Sequence, residues 1–358
     1  MWKKLLFAGS IVLGVSLAVL VYRQFDVAAL RAVRELGALG MCLYALTAAM
    51  TLIAPAVSWT ILMRAEGLKV PLGTALKANF MGFPINFMAP TIYLGSEPLK
   101  LLYVANLHGE PKRKVLATII VAKFQEIGAL LLVMVVSAGV ALWRLDFSPR
   151  QEILIVSCMV VLTALFGFLL YAFLGNLKPT VRIIRCLAVF KGLRRKLARA
   201  RRRAEEMEDL VRQAFLRRRK VFLVSQAVTL LSALSILLRP WVFFFFSRDR
   251  VLLGVEYLCA IYLVTNIINS LPHTPGGLGV FEVGMVGLFS LMGIGKDNAA
   301  AFSLVTRAAD LLLILLGAWL IVHYGLQSVA RQVVRGQKPL DVREAGFNNG
   351  SGPGGTAQ

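Results

Sequence analysis

Read along the chain, the dominant pattern is long apolar stretches separated by short polar ones. Continuous apolar runs fall near 5–22, 39–63, 115–143, 151–174, 221–246, 251–270, 278–294 and 300–324. A helix rises 1.5 Å per residue, so about 20 apolar residues cross roughly 30 Å of hydrocarbon. The pattern therefore predicts an all-α polytopic membrane protein of about eight transmembrane helices. A transmembrane barrel would show segments of about ten residues alternating apolar and polar. No such alternation occurs.

Two segments interrupt the pattern. The first, within 79–105, reads NFMGFPINFMAPTIYLGSEPLK and contains Pro84, Asn86, Pro90, Gly95, Glu97, Pro98 and Lys100. Three prolines so close together remove helix hydrogen bonds, so a re-entrant or broken helix is expected. Freed backbone at membrane depth must be buried in protein or line a wet cavity, which is where transporters place their sites. The second, within 269–294, reads NSLPHTPGGLGVFE and contains Asn269, Pro272, Thr274, Pro275, Gly276, Gly277, Gly279 and Glu282. Its proline and glycines make a turn, and a helix starting at Leu278 would aim amide groups and a positive dipole end at the same point. An anionic headgroup and an ordinary tight turn both fit that stretch.

The two segments echo each other weakly. Asn86, Pro90, Gly95 and Glu97 correspond to Asn269, Pro275, Gly279 and Glu282, and each set precedes an apolar helix carrying a cation and an acid. These pairs are Lys123 with Glu126 and Arg307 with Asp310; the cations stand 26 residues after Glu97 and 25 after Glu282. An i,i+3 pair shares a helix face, so both charges can point inward while partly neutralising each other. The pattern predicts a pseudo-repeated arrangement whose charged residues face one cavity.

Composition agrees with lipid as solvent: 58% of residues are hydrophobic, 16% are charged, and mean hydropathy is +0.71. The net charge of +21 would suit a nucleic-acid binder, but 16 of the 40 Lys and Arg lie between Lys178 and Lys220. A basic loop over 177–220 between two apolar runs is the positive-inside signal, so no nucleic-acid partner is expected. Within it Val181, Ile184, Leu187, Phe190, Leu193 and Leu197 form an apolar stripe, consistent with a helix on the inner leaflet or a cytoplasmic hairpin. Further cations near run ends place both termini on the cytoplasmic side of the cell membrane. Residues 1–330 form one transmembrane domain, its first run an uncleaved span, and 331–358 a polar, partly disordered tail.

Cys42, Cys158, Cys186 and Cys259 form no C-x-x-C pair, and His108, His273 and His323 are scattered, so neither disulfide, metal nor cofactor is expected. No catalytic motif is present, which points away from an enzyme. Arg239, beside Pro240 and the aromatic run WVFFFF, is read as a snorkelling residue at a membrane boundary.

The stretch from Leu271 to Glu282, with Gly293 and Arg307 downstream, resembles the proline-glycine motif of the lysylphosphatidylglycerol synthase transmembrane family. The resemblance implies a flippase-like domain that moves or binds lipid, with aminoacyl transfer confined to a separate soluble domain. Only 34 residues follow Tyr324, so that transfer is not expected here. The first segment departs from the family: Gly95-Ser96-Glu97 shifts the acid, Lys100 replaces an arginine, and Lys123-Phe124-Gln125-Glu126 alters a Glu-Arg pair. Lysine lacks the bidentate fork with which arginine holds phosphate. The expected partners are membrane lipids, anionic or phosphate-bearing, with a homodimer or a lipid-modifying enzyme also compatible. Lipid translocation is the leading reading; a lipid-binding accessory protein and a membrane-embedded lipid-phosphate transferase are the alternatives.

Overall fold

The computed structural model describes residues 34–88, 95–175, 205, 208–209, 211–213, 218–247, 253–270 and 275–334. Among the described residues there are nine α-helices and one 3-10 turn. They are α1 (Gly37–Ala65), α2 (Leu72–Met88), α3 (Glu97–His108), α4 (Lys112–Arg144), α5 (Pro149–Leu174), α6 (Arg219–Phe246), α7 (Val255–Ser270), the turn Pro275–Gly277, α8 (Val280–Leu291) and α9 (Lys296–Val334). The run at 5–22, nearly all of the basic loop and the tail beyond Val334 lie outside the described residues.

Five helices, α1, α4, α5, α6 and α9, are long and apolar enough to cross a membrane. This corrects the expectation of spans at 251–270 and 278–294. The helices there have 16 and 12 residues, or about 24 and 18 Å, short of the roughly 30 Å core. Their ends have local causes. Gly279, at φ +81°, precedes α8, and Gly293, at φ +69°, follows it; both adopt a conformation that glycine tolerates and other residues resist.

Three clusters of buried apolar side chains hold the bundle. The largest joins Tyr44, Phe243, Phe244, Phe289 and Phe302 from α1, α6, α8 and α9. The most extensive helix pairing is α1 against α6. Small side chains permit it: Ala48, Ala54, Ala56 and Ser58 on α1, with Ser225, Thr229, Ser232 and Ala233 on α6, are all buried. Gly40 passes so close to Phe246 that a side chain there would collide with it. Helix α5, by contrast, packs against α4 and leaves Ile153, Leu154, Val160, Val161, Leu165 and Phe168 exposed, an apolar face suited to lipid.

Pro84 does not end α2, although the sequence suggested that it would; the helix continues to Met88. Proline cannot donate to the carbonyl four residues earlier, that of Phe80. Helix α9 closes on this spot: a Cβ on Gly317 would strike the Phe80 carbonyl and the Pro84 ring. Gly317→Val therefore forces α9 away from α2. The expected result is a destabilisation of about 1–3 kcal/mol or more, read as a lower midpoint of thermal unfolding in detergent.

The helix pairings repeat. Helix α2 packs on α9 and α7 packs on α4, while α3 lies on α4 and α8 on α9. Each short helical pair is thus held between the long helix that follows it and the long helix of the other half.

Candidate functional site

In the first half, the break after Met88 is tied across by side chains. Asn86, in the last turn of α2, accepts the Ser96 backbone N–H at 2.9 Å, and Gly95 and Ser96 form the bend before α3. Pro98 occupies the first turn of α3, where its missing N–H costs nothing. This places Glu97 and Lys100 opposite Lys123 and Glu126 of α4. Lys123 bridges two carboxylates, donating to Glu126 at 2.7 Å and approaching Glu97 at 3.8 Å. The four charged side chains line a recess of about 280 Å³, its open mouth included, with Pro55, Trp59, Asn79, Ile119 and Ala122 as the other walls. Asn79 is fixed there by donating to the Leu52 carbonyl at 3.1 Å.

The second half is built differently in detail. Glu282 is 1% exposed and accepts the Gly279 backbone N–H at 2.7 Å, capping α8. Its other oxygen accepts Arg307 Nε at 2.7 Å. The Arg307 fork then donates to the carbonyls of Gly276 (2.7 Å) and Gly277 (3.2 Å), stacks over Phe281, and approaches Asp310 at 3.9 Å. Arg307 thus bridges two carboxylates, as Lys123 does, and also fastens the Pro275–Gly277 turn. The turn needs such fastening because Gly276, Gly277 and Gly279 all have positive φ.

The six charged residues expected to share one cavity form two groups instead. Each group's ion pairs are internal: Lys123 with Glu97 and Glu126, Arg307 with Glu282 and Asp310. The breaks themselves do meet. A Cβ on Gly276 would run into the Phe87 ring at the end of α2, so the second turn rests on the tip of the first pair. Asn269 lies in the last turn of α7 and Pro275 opens the 3-10 turn. Pro90, Pro272 and Thr274 lie outside the described residues.

Several residues here escaped the sequence reading. Gln125, fully buried, donates to Ser225 Oγ (2.7 Å) and the Phe222 carbonyl (3.0 Å) and accepts from Ser58 Oγ (3.1 Å), joining α1, α4 and α6. Tyr44 and Thr306 share a hydrogen bond of 2.6 Å between α1 and α9. Arg239 is not a boundary residue. Its Nε is buried without a hydrogen-bond partner, its charge acts on Asp310 and Tyr44, and Phe243 and Phe244 beside it are core. A signal for it exists in the numbering: Pro55 and Pro240, Pro90 and Pro275, and Glu97 and Glu282 are each 185 residues apart.

Gln125→Ala strands the Ser225 hydroxyl and one hydrogen-bonding group on each of α1 and α6. At about 0.6–2 kcal/mol per interhelical bond in membranes, a thermal midpoint lowered by several degrees in detergent is the expected result. Gln125→Glu, which keeps the acceptor, should lower it less.

The chain matches the profile described as Lysylphosphatidylglycerol synthase TM region over residues 6–318. It belongs to that family. Two curated relatives, each described as a UPF0104 membrane protein of Methanothermobacter thermautotrophicus, are similar to it. One is 42% identical over 71 residues, a fifth of this chain and a fifth of the relative. The other is 22% identical over 278 residues, 76% of this chain and 79% of the relative. No solved structure matches. This family member is a stand-alone membrane domain over most of its length.

Proposed function

We propose that this protein moves a phosphate-bearing lipid between leaflets, the headgroup passing by way of the two charge groups at the helix breaks. The observation that carries this reading is the contact of Phe87 with Gly276, which brings the two breaks together inside a bundle whose outer face is apolar. Buried charge in a membrane is costly, so two such groups converging on broken helices argue for a pathway.

The basic residues support a specific topology. Arg64 ends α1, Lys112, Arg113 and Lys114 open α4, and Arg218, Arg219 and Lys220 open α6. With those ends cytoplasmic, the pair α2–α3 enters from the inside and the pair α7–α8 from the outside. The halves 37–144 and 219–334 are then inverted repeats of two spans around a re-entrant pair. Counting the run at 5–22, six crossings keep both termini inside. The lipid is the only partner this reading requires, and it needs no cofactor and no chemistry on the lipid.

In this reading Lys100 and Lys123 meet the phosphate at the first break, and Arg307 shapes the turn at the second. The test is leaflet exchange of a fluorescent phosphatidylglycerol in proteoliposomes, followed by reduction of the outward-facing label. Exchange above protein-free vesicles, lost in Lys100→Gln with the chain still folded, is expected. Equal exchange with and without wild-type protein overturns the reading.

A further inference from the structure

Each charge group contains a second cation that its carboxylates do not reach. In the first group this is Lys100, in the second Arg239; neither has a hydrogen-bond or ion-pair partner among the described residues. Both groups thus have the same plan. Two acids, Glu97 with Glu126 and Glu282 with Asp310, are engaged by one bridging cation, Lys123 or Arg307, and a further cation stands by. Formal charge balances in each group, but hydrogen bonding does not. Arginine has five N–H donors, and leaving such donors of a charged group buried and unmade costs more than the 1–3 kcal/mol of a neutral group.

The two standby cations come from different places in the repeat. At the offset of 185 that relates Glu97 to Glu282, Lys100 corresponds to Met285 and Arg239 to Ala54. Met285 and Ala54 are both buried. The second half has lost the lysine three residues after its glutamate and gained an arginine on the neighbouring long helix. A cation has been restored to the group from a new position, which a merely tolerated charge would not require.

We propose that Arg239 is the ligand of a second anion site, taking a phosphate group at the second break as Lys100 does at the first. The proposal rests on the transport reading for the phosphate's source, a lipid headgroup, but not for the existence of the site. The planar guanidinium fits two phosphate oxygens at once, and the neighbouring Tyr44 hydroxyl supplies a further polar group near it.

The probe is short-chain dihexanoyl phosphatidylglycerol, titrated into the detergent-solubilised full chain, with dihexanoylglycerol as the phosphate-free control and inorganic phosphate as competitor. Wild type is expected to bind two equivalents, Arg239→Gln and Lys100→Gln one each, and the double variant none; dihexanoylglycerol should not bind at these sites. Two equivalents in folded Arg239→Gln overturn the proposal. Binding of inorganic phosphate alone, with no lipid bound, overturns the lipid part and assigns the site to the free ion. If Arg239→Gln does not fold, the combination Arg239→Ala with Met285→Lys decides, since it gives the second group the arrangement of the first: two equivalents support the site, one overturns it. Leaflet exchange is measured on the same preparations. Wild type that binds two equivalents without exchange overturns the transport reading alone, whereas exchange with one equivalent bound overturns the second site alone.

Discussion

Arg307→Ala is expected to abolish leaflet exchange and to lower thermal stability by an amount no other single truncation in the second half should match. Its guanidinium is the common partner of Glu282 and of the Gly276 and Gly277 carbonyls. Removing it leaves a carboxylate that is 1% exposed with only the Gly279 N–H, and a three-glycine turn with nothing to hold its shape. Breaking a buried ion pair from one side costs about 3–5 kcal/mol, and glycines lose more conformational freedom on ordering than other residues do. Arg307→Lys should recover part of the stability, because it can still meet Glu282, but little exchange, because a single ammonium cannot serve three acceptors lying in different directions. The check is a pair of measurements on one preparation, unfolding midpoint and exchange rate. Full exchange in Arg307→Lys would show that the turn needs only the charge.

The second large effect is expected at Lys123. Methionine there fills a similar volume but leaves Glu97 and Glu126 facing each other with Lys100 as the only nearby cation. Both carboxylates are about one-fifth to one-quarter exposed, so the loss is about 1–3 kcal/mol, below that of a fully dry pair. Lys100 is then drawn to the freed acids and away from any phosphate. Lys123→Met should therefore weaken binding of dihexanoyl phosphatidylglycerol by more than its effect on stability suggests, and Lys123→Arg should restore both. A variant that binds the lipid with wild-type affinity would mean that Lys123 does not set the electrostatics of the recess.

Most of the architecture could be read from the chain because the relevant signal is local. Twenty apolar residues in a row declare a span without reference to anything else, and α1, α4, α5, α6 and α9 were all visible in that way. The errors arose where local and distant causes compete. The run at 278–294 is apolar throughout, but Gly279 and Gly293 confine its helix to Val280–Leu291, and hydropathy does not register backbone conformation. Pro84 looked like a helix end because the glycine that lets α9 close over it lies far away at position 317. Arg239 was misread for the same reason. Next to WVFFFF it resembles a boundary residue, yet the side of α6 that turns inward is decided by α1 and α9. For the site, Glu97, Lys123, Glu282 and Arg307 were legible as charges in apolar surroundings. Their division into two groups was not, since spacing along a helix fixes a face and not what lies opposite.

The close approach of Gly317 to the Phe80 carbonyl has a consequence for synthesis. The covering residue is 237 positions further along the chain. At roughly 5–20 residues per second, the carbonyl released by Pro84 waits about 10–50 s inside or beside the bilayer before α9 exists to close over it. Until then the first re-entrant pair has no permanent neighbour on that side. The order of translation thus makes the last long helix the keystone of a structure begun by the first half, and chains stalled before residue 317 should be the ones that membrane quality control removes.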